Sequence, residues 1–364
     1  MRTEPIKLPD HSRLPSAQVQ KIALLSPAIG TGNVGDHFIE TAVRRLLQDN
    51  VIYLRFTVRE PLTEGDIDVI NDCDCALVCG TNLYQNQWFP TLSPEDLARI
   101  QVPVIPFGVG SSAARLDETE VSRKTYQMIR ELHSHCAVGG VRDPHSAEVV
   151  ARTGVENFIL TGCPVLFWAR GAALPEIRPR TKRRILLTAR NWLMHRWPDN
   201  VNHPVQIEFL RRILASFPPD RLVFAIHEDF DTRLVDILKI PRRMIFQSDR
   251  PEDYVSLYTE PDQVILSMRL HAGMLGLANG VPAAFIGHDT RTYSFCQMMG
   301  LEYIELFSED APERSIVLLR RLSDGDVTPF VNAQENYREL RSAMVRFLRM
   351  NGLPGWWQEV AAAQ

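Results

Sequence analysis

The residues best suited to chemistry fall at three points where a short apolar run gives way to a polar, helix-prone stretch: residues 30–36 (GTGNVGD), residues 141–146 (VRDPHS), and residues 267–291, which begin SMRLHAG. Arg142 closes the apolar run AVGGV. A guanidinium beside a helix N-terminus makes a site for a carboxylate or phosphate; pairing with a neighbouring acid is the other reading open to it. Asp143 and Pro144 behind it suit a helix N-cap and first helical position and need no function to explain them. His271 falls in the first turn after the run VILSM, with Arg269 two residues before it and Arg291 after the next run. An imidazole there can donate a proton near neutral pH. The following stretch is dense in small residues (Ala272, Gly273, Gly276, Ala278, Gly280), which implies close backbone packing or ligand approach.

The loop 30–36 formally matches G-x-G-x-x-G. Two details argue against a nicotinamide or flavin site. Asp36 places a carboxylate where a pyrophosphate needs bare N–H groups, and the acidic residue expected about 20 positions on is missing, Glu60 being too late. Asn33, Gly35 and Asp36 then either cap a helix or hold a sugar hydroxyl. Asn82, after the run CALVCGT, faces the same end of a strand.

These points need parallel strands to carry them. Apolar runs at 22–27, 51–58, 75–80, 102–110, 137–142 and 158–166 alternate with helical stretches such as 36–48 and 117–133. A segment rich in Pro, Arg and Gly interrupts the pattern, which restarts with runs at 184–189, 221–227, 243–247, 264–269 and 282–287. Continuous apolar strands alternating with helices indicate parallel sheets covered on both faces. The expected class is α/β, with two Rossmann-like, doubly wound domains facing across a cleft, and ligands outside the carboxyl ends of the strands. The divisions expected are an N-terminal arm (1–20), a first domain on the acceptor side (21–170), a linker (171–182), a second domain (183–330), and a helix and tail (331–364) packing back across the hinge.

At 364 residues the chain is long enough for about two domains. No apolar run approaches the roughly 18 residues of a membrane span, and the first twenty residues lack the apolar segment of a signal peptide; a cytoplasmic location is expected, with a site at the inner face of the membrane left open. Cys73, Cys75 and Cys79 lack paired zinc spacing and read as buried strand residues, so no metal site is assigned. His133, His135 and Cys136 read as a solvated helix end. The net charge of −4 argues against a nucleic-acid partner, and the basic run Arg178, Arg180, Lys182, Arg183 and Arg184 reads as a solvated cluster. Trp88, Phe89, Trp192 and Trp197 suit either acceptor stacking or packing. Trp356 and Trp357 suit a tail anchor, a second subunit or a peripheral membrane contact.

Taken in order, these motifs resemble the polysaccharide pyruvyl transferase family over about residues 21–301. The resemblance rests on Asn33, Gly35 and Asp36; Cys79, Gly80, Thr81 and Asn82; Phe107, Gly108, Val109 and Gly110; Arg142, Asp143 and Ser146; Thr161 and Pro164; and, most specifically, Arg269, Leu270, His271 and Ala272 followed by Gly280, Val281 and Pro282. The resemblance implies a GT-B-like pair of lobes, phosphoenolpyruvate as co-substrate with no cofactor, and a glycan, nucleotide-linked or lipid-linked sugar as acceptor in exopolysaccharide synthesis. It implies Arg142 and His271 as catalytic residues, and Arg142, Arg269 and Arg291 as donor-binding residues. A family Y-D-x-K pattern reads His288, Asp289, Thr290, Arg291 here, which keeps the charge and changes its shape. A glycosyltransferase using a nucleotide sugar, with Glu228 or Asp229 gripping a ribose, and a non-catalytic glycan-binding relative are the competing readings. A homo-oligomer is compatible with all three.

Overall fold

The computed structural model describes residues 20–47, 50–85, 92–113, 119–181, 183–191 and 203–355. The six aromatic residues named above, Lys182 and almost all of the N-terminal arm lie outside the described residues.

The first half of the chain folds as β1 (Gln20–Ser26), α1 (Val34–Leu46), β2 (Val51–Thr57), α2 (Glu64–Asn71), β3 (Cys75–Cys79), α3 (Pro94–Leu97), β4 (Val104–Phe107), α4 (Arg123–Ser134), β5 (Gly139–Val141), α5 (Pro144–Arg152) and β6 (Phe158–Leu160). Strands β2-β1-β3-β4 form one parallel sheet in that order, and β5 and β6 form a separate parallel pair, bridged to the first sheet through Val109 and Val141. Every residue of β3 is buried, as its unbroken apolar run requires of a strand covered on both faces.

The second half contains β7 (Arg184–Thr188), α6 (His203–Ala215), β8 (Leu222–Ala225), α7 (Thr232–Leu238), β9 (Ile245–Phe246), α8 (Pro251–Thr259), β10 (Gln263–Ser267), α9 (Leu270–Leu277), β11 (Ala283–Gly287), α10 (Thr290–Met299), β12 (Tyr303–Glu305), α11 (Ala311–Ser323) and α12 (Val331–Met350). Its sheet runs β12-β11-β10-β7-β8-β9, all parallel. Each expected run contains a strand. The edge strand β12 had no apolar run to announce it.

Both sheets reverse their strand order once, between β1 and β3 and between β7 and β10. Loops leaving the carboxyl ends of such neighbours diverge and open a crevice. The two crevices face each other because the halves share a core: α1 packs against α8 and α9, and one apolar cluster runs from Ile22 and Phe38 through Phe167 to Leu275 and Phe347. Backbone bonds also join them, since Thr290 N donates to the Ala113 carbonyl (3.0 Å) and Ala113 N to Thr290 Oγ1 (2.9 Å).

Helix α12 follows the second sheet but lies on β5 and β6. Phe347 packs on Phe107 with ring centroids 5.1 Å apart, and Tyr337 donates to the Gly171 carbonyl (3.1 Å). Asn351, just past the helix, donates from Nδ2 to the Val138 carbonyl (2.9 Å) and accepts at Oδ1 from Val138 N (3.4 Å).

Two local expectations change. His133 is buried, not solvated, and its Nε2 meets Tyr84 Oη at 2.9 Å. Arg183 is buried too: it donates to the Gln263 carbonyl (3.2 Å) and the Arg180 and Arg178 carbonyls, tying the basic segment to β10. All six cysteines are buried and unbridged. Among the described residues no helix is long and apolar enough to cross a membrane.

Because Asn351 serves both backbone groups of a buried residue, Asn351→Ala leaves an N–H and a carbonyl without partners. The expected cost is about 1–3 kcal/mol, read as a lower urea midpoint with unchanged slope.

Candidate active site

A cavity of about 500 Å³ opens where the two crevices meet. From the first sheet it takes the loop after β1 (Gly30 to Asp36), Thr81 and Asn82 after β3, and Arg142 after β5; from the second it takes Arg190 after β7, His227 to Phe230 after β8, Met268 to Ala272 after β10, and Arg291 after β11. All eight residues expected at the site (Asn33, Gly35, Asp36, Asn82, Arg142, Arg269, His271 and Arg291) line it.

Asn33 caps α1, its side chain accepting from Gly35 N at 3.1 Å. Gly35 is required for a second reason: a Cβ there would stand 3.1 Å from His271 Nδ1, so the missing side chain is what lets α1 and α9 close on each other. Asp36 accepts at Oδ2 from Thr31 Oγ1 (3.1 Å) and pairs with Arg59. Burial pushes its carboxyl up to about 6, against the pull of Arg59 and Thr31.

Arg142 is buried beneath the cavity floor. Its Nε donates to Asp143 Oδ2 (2.8 Å), Nη1 to Asn82 Oδ1 (2.6 Å) and Nη2 to the Ser111 carbonyl (2.7 Å). The guanidinium lies against Gly110, where a Cβ would come within 2.5 Å of Cζ. Asp143 caps α5 through Ser146 N (2.9 Å) and neutralises Arg142 with its other oxygen. The pairing with a neighbouring acid is the reading of Arg142 that the structure shows. Three of its five N–H donors are used in these bonds, and the residue lines the cavity.

The other two arginines differ in availability. Arg269 caps nothing; it donates to Glu228 Oε1 (2.8 Å), to Asp231, and through Nε to the Ala189 carbonyl (3.4 Å). Burial opposes its charge, but Asp231 and Glu228 outweigh it and hold the guanidinium above its usual range. Its charge is spent on bracing the loop 228–231. Arg291, on the first turn of α10, pairs with its own N-cap, Asp289, and stays partly open. Despite burial, Arg291 keeps Asp289 well below the usual carboxylate range.

His271 sits between these charges. Its Nε2 is buried and has no hydrogen-bond partner among the described residues. Burial, then Arg142 and Arg291, bring the imidazole down to about 3. The expectation of a proton donor rested on an ordinary imidazole value; here burial above all, and then the two arginines, keeps the free ring neutral. The small residues of α9 resolve to packing, since Gly273 lies against Phe285 and Ser267.

Sequence reading missed Arg190, which burial, Arg291 and Arg269 bring down to about 9, still charged at neutral pH. The signal was present, for Arg190 closes the run RILLTA as Arg142 closes its own. Arg59 and Phe230 had no such signal. Among the described residues no group of three or more His, Cys, Asp or Glu could hold a metal.

The architecture is that of the GT-B class, two Rossmann-like units facing across a cleft. A putative UDP-N-acetylglucosamine 2-epimerase from Listeria monocytogenes superposes with a TM-score of 0.54 at 11% identity, over 93% of this chain and 99% of that one. The enzyme of that name from Rickettsia bellii gives 0.53 at 13%, over 92% and 96%, and S. aureus MnaA in its UDP co-structure 0.52 at 12%, over 92% and 98%. A comparison with curated protein sequences gives no match. The polysaccharide pyruvyl transferase family profile matches residues 33–290, and the chain belongs to that family of transferases.

Four buried histidines make the fold acid-sensitive. Burial lowers His133 and His288 to about 4 and His271 to about 3, and drops His227 well below its usual value. Between those values and the unfolded value of about 6.5 the unfolded chain binds more protons, so stability falls as pH falls through 6.5. Asp36, raised to about 6, works the other way between about 4 and 6, as does Glu305, which burial raises; His37 and His203, lowered by burial, act with the four. The melting temperature should drop by several degrees from pH 7 to pH 5, and His271→Gln should shallow that slope.

Proposed function

We propose that the protein transfers a pyruvyl group from phosphoenolpyruvate to two hydroxyls of a sugar in an exopolysaccharide precursor. The observation that carries this reading is the unpartnered Nε2 of His271 in a cavity it shares with Arg142, Arg190 and Arg291. Such a site suits a small ligand with two anionic ends next to an atom that changes protonation. Phosphoenolpyruvate has a carboxylate and a phosphate flanking its enol carbon.

In the proposed reaction one sugar hydroxyl adds to C2 of the enol, and a proton equivalent to the one it loses arrives at C3. The second hydroxyl then displaces phosphate from C2, its proton leaving with the phosphate. Arg142 and Arg291 hold the two anionic groups. His271, neutral until the donor's charge offsets the two arginines, gains proton affinity as the donor binds. It is then able to accept a hydroxyl proton and return it to carbon. Arg291 brings a planar fork where the family pattern has a Lys, which suits bidentate contact with a carboxylate or phosphate. No metal or organic cofactor takes part in this scheme, and the work is assigned to the cytoplasmic face of the membrane, where sugar precursors are assembled.

Incubation with phosphoenolpyruvate and candidate sugars should give acceptor-dependent phosphate and an acid-labile pyruvate on the sugar. Phosphate release without that product would refute the reading. His271→Ala should lower kcat by roughly 10²–10⁴-fold with an unchanged circular dichroism spectrum.

Donor binding should also take up protons. At pH 5–6 the free ring is deprotonated, its value being about 3, and an adjacent anion raises that value. Calorimetry of phosphoenolpyruvate binding in buffers of different ionisation enthalpy should show uptake in the native protein and a smaller uptake in His271→Gln.

A further inference from the structure

The cavity lining mixes two kinds of chemistry. Arg142, Arg291 and His271 are joined on it by Asp36 from the loop after β1 and by Glu228, Asp229 and Phe230 from the loop after β8. Phe230 is the only one of the cavity's aromatic residues with an exposed benzyl ring among the described residues, 49% exposed where side chains of its size are normally covered. An exposed ring on a loose loop would mean little. This loop is held from beneath: Asn191 Nδ2 donates to the Phe230 carbonyl (2.6 Å), Asn191 N donates to Asp231 Oδ1 (2.9 Å), and Asp231 and Glu228 clasp Arg269. Four buried or half-buried polar residues, Asn191, Glu228, Asp231 and Arg269, thus hold the backbone of this loop at the cavity wall.

The neighbours of the ring define what it can take. The Asp229 carboxylate is exposed and has no partner among the described residues. Ionised carboxylates only accept hydrogen bonds, so Asp229, unlike Glu228 with its Arg269 and Asp36 with its Arg59, is open to the hydroxyl donors of a ligand. A pyranose ring has both features, an apolar C–H face for the aromatic ring and a rim of hydroxyls for the carboxylates. A ring on a rigid element supplies such a contact at little entropic cost.

We propose that Phe230 and Asp229 form the acceptor-sugar subsite, the ring stacking on a pyranose face while Asp229 takes its hydroxyls. This rests on the pyruvyl-transfer reading for the word acceptor and on the cavity wall alone for the word sugar. It places the acceptor against the second sheet as well as the loop Asn33–Asp36, from which the sequence alone had led us to expect it.

The test uses full-length protein and a panel of p-nitrophenyl hexopyranosides (galactoside, glucoside, N-acetylglucosaminide). With phosphoenolpyruvate present, Phe230→Ala should raise the KM of the best glycoside about tenfold or more and leave the KM of phosphoenolpyruvate within about twofold, and Phe230→Trp should restore it. Equal rises in both KM values, or none, overturn the subsite. Saturation-transfer NMR of the same glycosides without donor separates the two readings. Contact with the native protein that is lost in Phe230→Ala supports the sugar subsite even where no pyruvate is transferred. Contact that persists in Phe230→Ala, no contact at all, or displacement of the glycoside by UDP from a site that needs Phe230 overturns it, the last in favour of a nucleotide.

Discussion

Five arginines line one cavity, and holding them there sets the electrostatic problem around which the site is built. An uncompensated charge in such a place costs several kcal/mol. Asp36 answers Arg59, Asp143 answers Arg142, Glu228 and Asp231 answer Arg269, and Asp289 answers Arg291. In two of these pairs the acid is also a helix N-cap, so one carboxylate settles a backbone terminus and a guanidinium together. Between these paired charges lies an imidazole that burial and the neighbouring guanidinium groups keep neutral.

The fold supplies this arrangement through two reversals of strand order. Each reversal opens a crevice, and the shared core turns the crevices toward each other. Residues as distant as Asn33 and Arg291 then meet at one cavity without either loop being long. The short connections matter because a group aimed from the end of a buried strand is positioned more exactly than one aimed from a mobile loop.

Much of this was legible in the chain. Arg142 and His271 stood out because each follows an apolar run, and a parallel strand delivers its last side chain to the ligand edge. Asp143 could be read as a cap because Pro144 follows it. The partners of Arg269 could not be read, since Glu228 and Asp231 lie some forty positions away and only the pairing of β7, β8 and β10 brings them near. The state of His271 was not legible for the same reason: a sequence shows a ring but neither its burial nor the two guanidinium groups around it. Strand β12 escaped because an edge strand with the sequence YIE carries one buried residue and no run. His133 and Arg183 escaped because burial of a polar residue follows from its partners, Tyr84 in one case and backbone carbonyls in the other.

The contact at Gly35 and His271 has a mechanical consequence. Helices α1 and α9 touch there, one from each sheet, with the His271 side chain lying against Gly35. A point of closest approach is the natural fulcrum for any rocking of one half against the other. Atoms at a fulcrum move least, and those at the rim, such as Phe230 and Arg59, sweep the widest arc. Any such rocking would change the width of the cavity mouth more than the contact between Gly35 and His271.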